Sequence, residues 1–292
     1  SRGLGDVYKR QIEGRASGMG MKADTREGYS TLTMSFYWSR RMYKPTELHP
    51  VDPRLVTIQS DIREHFGWDS NEDIASAQEL LQRVESYEIR SWERPQRAAN
   101  VATAFRRLVL RETEVAILGA AVEPEEVEVA LQRPSLLVAA DGAAGVFSML
   151  PASMAERAWS RLICVVSDAD GGEGIYEAVE RSKPIFLHAH GDNVGDWEKL
   201  LEHASDIATP PPLILTHQTK STIEGMNNPG GFTDGDRAAC IVRSIGVPAE
   251  SISMLGTRTD VVGHWSGITD ENAKLEKLKW MSKVLEILEI RF

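Results

Sequence analysis

Three acidic, glycine-punctuated stretches hold the residues best suited to chemistry: SDADGG (Ser167–Gly172), HAHGDN (His188–Asn193) and GGFTDGDRA (Gly230–Ala238). The first two directly follow the apolar runs Leu162–Val166 and Pro184–Leu187, and the third follows Leu213–Thr216 after a longer loop. Loops at the carboxyl ends of strands line the ligand crevice of an open α/β sheet, so acids far apart in sequence can converge there. Clustered aspartates with little basic company suit a hard divalent cation, and with it phosphate chemistry. Asp168 and Asp170 alternate on an extended segment and are expected to face one cation, with Asp192 as a further ligand. Asp141, in AADGAA, ends the preceding strand, where a tight turn is the simpler role.

Each residue also has a plainer reading. Asp168 or Asp170 taken singly is as readily a helix cap as a ligand. His188 and His190 share a face, with His217 ending another strand; with Asp192 they offer a zinc-type set, although oxygen ligands dominate and favour magnesium. Hydrogen bonding within the loop is the expected role of His188. In GGFTDGDRA, glycines let the backbone approach a ligand, Thr233 or Asp234 can cap a helix, and Asp236 and Arg237 fall in its first turn. The long loop from Gln218 to Thr233 suggests a flexible lid, or an ordinary surface excursion.

These loops need a scaffold, and the sequence supplies one. Helical periodicity runs from Asp52 to about Leu110, with Asp69 or Ser70 as a cap. Beyond it, strands at 114–118, 136–139, 162–166, 185–188, 213–216 and 252–255 alternate with helices, the last spanning about 270–289. This pattern predicts an α/β fold: a mostly parallel, Rossmann-like sheet with helices on both faces, preceded by a small helical region. The expected division is 1–48, a disordered or non-native extension; 49–112, helical, either a cap or an oligomer contact; and 113–292, the α/β catalytic domain. The Gly-, Arg- and Ser-rich start looks like a cloning remnant, with a true start expected at Met19, Met21, Met34 or Met42.

A net charge of −10 argues against general nucleic-acid binding. Two cysteines, Cys164 and Cys240, argue against a disulfide framework and make a reducing cytoplasm the natural setting. No apolar run approaches the roughly 20 residues that span a bilayer.

From about Pro53 to Lys279 the chain resembles the archaeal 6-hydroxymethyl-7,8-dihydropterin pyrophosphokinases, whose core is related to thiamine pyrophosphokinases. The resemblance rests on ADGA, SDADG, HAHGDN, THQ, NPGGFTDGDRA, KLEKL and the upstream FGWDSNEDIASAQELL. One departure is Gly119-Ala120-Ala121-Val122, where the family often has Gly-Pro-Ser-Leu, and it bears on any phosphate role for that loop. The resemblance implies transfer of a diphosphoryl group from ATP to the hydroxymethyl oxygen of a reduced pterin, releasing AMP, on the way to folate or methanopterin. Magnesium would be held by Asp168, Asp170 and Asp192, and His190 or Asp192 would serve as any base. The nucleotide would meet Asp141, Gly142, Asn193, Lys274 and Lys277, although solvated helix lysines are commoner. The pterin would meet Gln218, Gly231, Thr233, Asp234, Asp236, Arg237 and Trp265. A thiamine diphosphokinase, a metal-dependent phosphoester hydrolase built on His188, His190 and Asp192, and a non-catalytic nucleotide binder are the competing expectations.

Overall fold

The computed structural model describes residues 45–111, 113–267 and 270–292; the expectations for residues 1–44, including the alternative starts, lie outside it. The described residues from Pro45 onward belong to one compact unit. The described residues open with α1 (Arg54–Phe66), α2 (Ser70–Ser86) and α3 (Arg94–Leu108). Asp69 caps α2 by accepting from Asn71 N, and Gly67 ends α1 in the left-handed conformation, so two short signals fix this hairpin.

Then come β1 (Val115–Leu118), α4 (Pro124–Leu131), β2 (Leu136–Ala140), α5 (Ala152–Arg161), β3 (Leu162–Ser167), α6 (Gly172–Glu180), β4 (Ile185–Ala189), α7 (Val194–Asp206), β5 (Leu213–His217), α8 (Asp234–Ile245), β6 (Ile252–Leu255) and α9 (Glu271–Ile287). The six strands form one parallel sheet in the order β5-β4-β3-β2-β1-β6. Strands β1 to β5 are buried throughout, which is why they read as unbroken apolar runs rather than alternating ones.

Alternate strand residues feed two cores. Ala116, Leu118, Leu137, Ala139 and Leu187 pack with α2, α4, α5, α6 and α7 on one face. Val115, Ile117, Val138, Val166 and Phe186 pack with α1, α3, α8 and α9 on the other. The N-terminal helices therefore contribute to both cores. One stretch departs from expectation: residues 141–149 form a 3-10 helix ahead of α5. Its small residues allow close approach, since a Cβ on Gly174 of α6 would collide with the Gly142 carbonyl.

The chain winds from β1 outward to β5 and then returns to place β6 beside β1. The direction of winding thus reverses between β1 and β6, the position at which open α/β sheets form a ligand crevice. The returning segment 218–233 is laced down rather than hanging as the expected lid. Asn227 pairs in parallel with Thr216 at the β5 edge, and Asn228 exchanges hydrogen bonds with Gln59 and donates to the Thr219 carbonyl. Met226 and Phe232 are buried. Both cysteines are free and buried, and among the described residues no helix is long and apolar enough to cross a membrane.

Candidate active site

Asp141 follows β2 with φ 48°, and Ala169, between Asp168 and Asp170 after β3, has φ 82°. Non-glycine residues in the left-handed region are held there by their surroundings. Here Ser167 supplies the hold: its Oγ donates to Asp141 Oδ1 at 2.6 Å and accepts from Ala169 N at 2.8 Å. The kink at Ala169, not the extended alternation expected from sequence, turns Asp168 and Asp170 toward Asp141. One carboxylate oxygen from each of the three lies within 4.8 Å of the other two.

The electrostatics of this trio are unfavourable without a cation. Burial and the neighbouring Asp168, Asp234 and Asp170 push the Asp141 carboxyl well above its usual range. Burial and Asp168 raise Asp170 as well. Asp168 is the exception: burial opposes its charge, but the hydrogen bond and charge of His190 hold it well below the usual range. His190 Nε2 contacts Asp168 Oδ2 at 3.0 Å, leaving Oδ1 buried and without a partner among the described residues. An orphaned carboxylate oxygen beside two acids that resist ionisation fits a hard divalent cation.

Asp192, expected as a ligand, stands elsewhere. Its carboxylate is 92% exposed and pairs with His190 Nδ1 at 2.7 Å, so Asp141 takes the third place in the cluster. Both nitrogens of His190 are engaged by carboxylates. Burial works against its charge, yet the hydrogen bonds to Asp168 and Asp192 raise its pKa to about 9, which makes it an imidazolium rather than a base at neutral pH. His188 Nδ1 meets Thr216 Oγ1 at 3.0 Å, and His217 Nδ1 accepts from Thr219 N; burial keeps both rings neutral, His217 at about 4. Among the described residues these histidines and Asp192 do not converge on a common point as zinc ligands would.

Asn193 ties the loop together: its amide donates to the carbonyls of Asp168 and His188 and accepts from His190 N. Gly142 is packed so closely against the Gly171 carbonyl that an added Cβ would collide with it. Asn193 and Gly142, two of the five residues expected to touch nucleotide, thus shape the loops.

GGFTDGDRA divides in the same way. Thr233 and Asp236 form a reciprocal capping box on α8, and the fully buried Asp236 also accepts from Phe232 N. Arg237 is 2% exposed and donates to Asp234 Oδ1 and to the Phe232 carbonyl. Gly231 has φ 96°, and a Cβ there would lie 2.5 Å from Arg237 Cα. Asp236, Arg237 and Gly231 thus build the turn behind the site, and Asp234 and Thr233 face it.

What they face is a pair of clefts. One, of about 540 Å³, opens at the β1/β6 reversal between Gly119–Ala121, Gly256–Arg258 and Trp265, and includes Asp141. The other, of about 720 Å³, lies above β3 to β5 and includes Asp168, His190, Gln218, Trp68 and Phe232. Thr233, Asp234 and Lys274 line both. Trp265, expected on the acceptor side, belongs to the first cleft, where its backbone N–H donates to Ala120 O and its indole N–H to Val122 O. Lys277 belongs to the second, 5.2 Å from the Trp68 ring centroid. No local signal singles out Trp68 or Asp73: in sequence the first reads as a loop aromatic and the second as an ordinary acid in a first helical turn.

Three archaeal proteins named 6-hydroxymethyl-7,8-dihydropterin pyrophosphokinase are similar to this chain. The one from Pyrococcus furiosus is 33% identical over 132 residues, 43% of this chain and 53% of that protein. The one from Methanocaldococcus jannaschii is 27% identical over 188 residues, 60% of this chain and 67% of that protein. The one from Methanothermobacter thermautotrophicus is 31% identical over 173 residues, 55% and 66% respectively. The chain thus spans from about half to two thirds of the length of these relatives. No family model matches the chain, and no solved structure does.

Proposed function

We infer, from the chain's similarity to archaeal 6-hydroxymethyl-7,8-dihydropterin pyrophosphokinases, that it transfers the β,γ-diphosphoryl group of ATP to the hydroxymethyl oxygen of the reduced pterin. The acceptor oxygen bonds to the β-phosphorus, the bond from that phosphorus to the α,β-bridging oxygen breaks, AMP leaves, and the hydroxyl proton is released. The observation that carries this reading is the meeting of two clefts over an acidic trio: a two-substrate transfer needs two binding spaces that share one reacting point.

The cleft at the β1/β6 reversal suits the nucleotide. Its walls are small, and backbone at Gly119–Ala121 and Gly256–Thr257 approaches the space closely, while Trp265 offers an aromatic edge. The second cleft suits a flat heterocycle, with Trp68 stacked on Phe66 at 4.7 Å and Phe232 6.0 Å from Trp68. Asp141, Asp168 and Asp170 are the residues that would hold Mg2+. When bound it would neutralise phosphate charge. Lys274, lining both clefts, is placed to meet the transferred group. His190 fixes the Asp168 carboxylate rather than taking a proton, and Asp234, where the clefts join, is the group we assign to receive the hydroxyl proton.

The test is direct. Incubation with ATP, magnesium and 6-hydroxymethyl-7,8-dihydropterin should yield AMP and the pterin diphosphate in equal amounts by chromatography. ADP formation, or phosphate release independent of pterin, would overturn the reading, and faster use of thiamine would reassign the acceptor.

A further inference from the structure

The acceptor cleft has a polar floor in which Gln218, expected from sequence on the acceptor side, meets Asp73. Gln218 follows β5 and is 6% exposed, and its side-chain NH2 donates to both oxygens of Asp73 at 3.1 Å. Asp73, on α2 and 5% exposed, also accepts from Arg63 Nη1 at 3.2 Å and from Gly191 N at 3.0 Å. Arg63 Nη1 in turn donates to the Gln218 carbonyl oxygen at 2.8 Å. A carboxylate only accepts, so Asp73 decides which end of the Gln218 amide turns toward it. The NH2 points inward and the Oε1 is left over. That oxygen has no protein partner among the described residues, and Gln218 lines the cleft walled by Trp68 and Phe232.

We propose that Asp73 is a positioning residue that locks the Gln218 amide, so that Gln218 Oε1 selects acceptors presenting N–H donors along the heterocycle edge. An aminopyrimidinone edge, with a ring N–H beside an exocyclic NH2, meets that demand, and a ring offering only lone pairs there is rejected. Asp73 cannot read the substrate itself, because its oxygens are already taken by Arg63, Gly191 and Gln218. The cost of misorientation is high in so buried a setting, where the free carbonyl would be replaced by an NH2 facing the N–H edge. This inference rests on the function proposed above.

Steady-state kinetics on the full chain with ATP, magnesium chloride and 6-hydroxymethyl-7,8-dihydropterin test it. Gln218→Met keeps the Arg63–Asp73 pair and the backbone carbonyl; it should raise the pterin KM about 10-fold or more, with the ATP KM within about twofold. Asp73→Asn should show the same split. The double variant Asp73→Asn with Gln218→Glu reverses donor and acceptor across the contact: the introduced amide donates to one oxygen of the introduced carboxylate, whose second oxygen faces the cleft. It should recover most of the lost pterin affinity relative to Asp73→Asn alone. An unchanged pterin KM in Gln218→Met, or equal losses for both substrates, would overturn the lock while leaving the function standing, as would a double variant worse than the single. Wild-type protein that neither turns over the pterin nor shows quenching of its tryptophan fluorescence on adding it would overturn the functional reading, and the lock with it.

Discussion

His190 Nε2 lies 3.0 Å from Asp168 Oδ2, and this contact separates one member of the acidic trio from the other two. Asp168 stays ionised beside an imidazolium, and Asp141 and Asp170 resist ionisation beside Asp168. The pair therefore keeps one carboxylate permanently ready, with its other oxygen open.

Replacing an acid of the trio should separate activity from stability. Asp141→Asn and Asp170→Asn each replace an acid that resists ionisation with a neutral group of the same shape, so turnover should fall about 100-fold or more with the melting temperature unchanged or raised. Thermal melts and AMP assays on the same preparations check this. Near-normal activity in a folded variant would remove that residue from the mechanism.

Stability should fall as pH rises in the absence of metal. Asp234 is raised from its ordinary 3.8 to about 7 by burial and by Asp168. A raised folded-state pKa means the folded state holds the proton longer, so its contribution is present below pH 3.8 and lost as pH rises through about 7. His190, raised from 6.5 to about 9, contributes below pH 6.5 and loses that contribution through about 9. Melting temperatures at about pH 6 and about pH 9 should therefore differ more in EDTA than in magnesium. A larger difference with magnesium would contradict the assignment.

The metal requirement should be that of a hard cation. Activity should depend on magnesium and survive a zinc-selective chelator, because the converging ligands are all carboxylates. Stoichiometric zinc, with activity lost on its removal, would point instead to the histidines.

Asp234 and Asp236, two residues apart, should behave oppositely. Asp236→Ala removes the capping box and leaves the buried Phe232 N–H without its acceptor, a loss of about 2 kcal/mol seen as a lower melting temperature. Surviving protein should bind ATP normally. Asp234→Asn should instead lower kcat with little loss of stability. Matching kinetic defects in the two variants would place Asp236 in the reaction.

Most of the architecture was legible because each buried strand reads as an apolar run and each helix as a 3.6-residue period. Sequence pairs Asp168 with Asp170 and puts Asp141 in a turn just past the neighbouring strand, and the structure brings the three together. Asp192 does not join them, because it sits in an irregular loop where the period-2 rule no longer fixes side-chain direction, and its carboxylate turns to His190. Ala169 is an ordinary alanine in sequence, and its left-handed conformation comes from the Ser167 hydroxyl, a contact with no local signature. Arg63 and Asp73 are ten positions apart on helices whose polar residues look solvated, and only tertiary packing buries them. Trp265 lies where its loop folds back over Ala120 and Val122, a placement that nothing local in the sequence reveals.

The lacing of α1 to the returning segment has a consequence for how the chain acquires its shape. Leu48 N bonds to Asn227 Oδ1 across 179 positions, and Gln59 to Asn228 across 169. Contacts so distant in sequence carry a large loop-closure entropy before they give anything back, and chains rich in them fold slowly. During synthesis α1 to α3 emerge with an apolar stripe whose partners on β1 to β6 have not yet been made. The winding β1 to β5 can assemble meanwhile, so the aromatic cleft that α1 and α2 wall should be the last part to mature, and a nascent chain should gain the nucleotide-side scaffold of β1 to β3 before it can discriminate among acceptors.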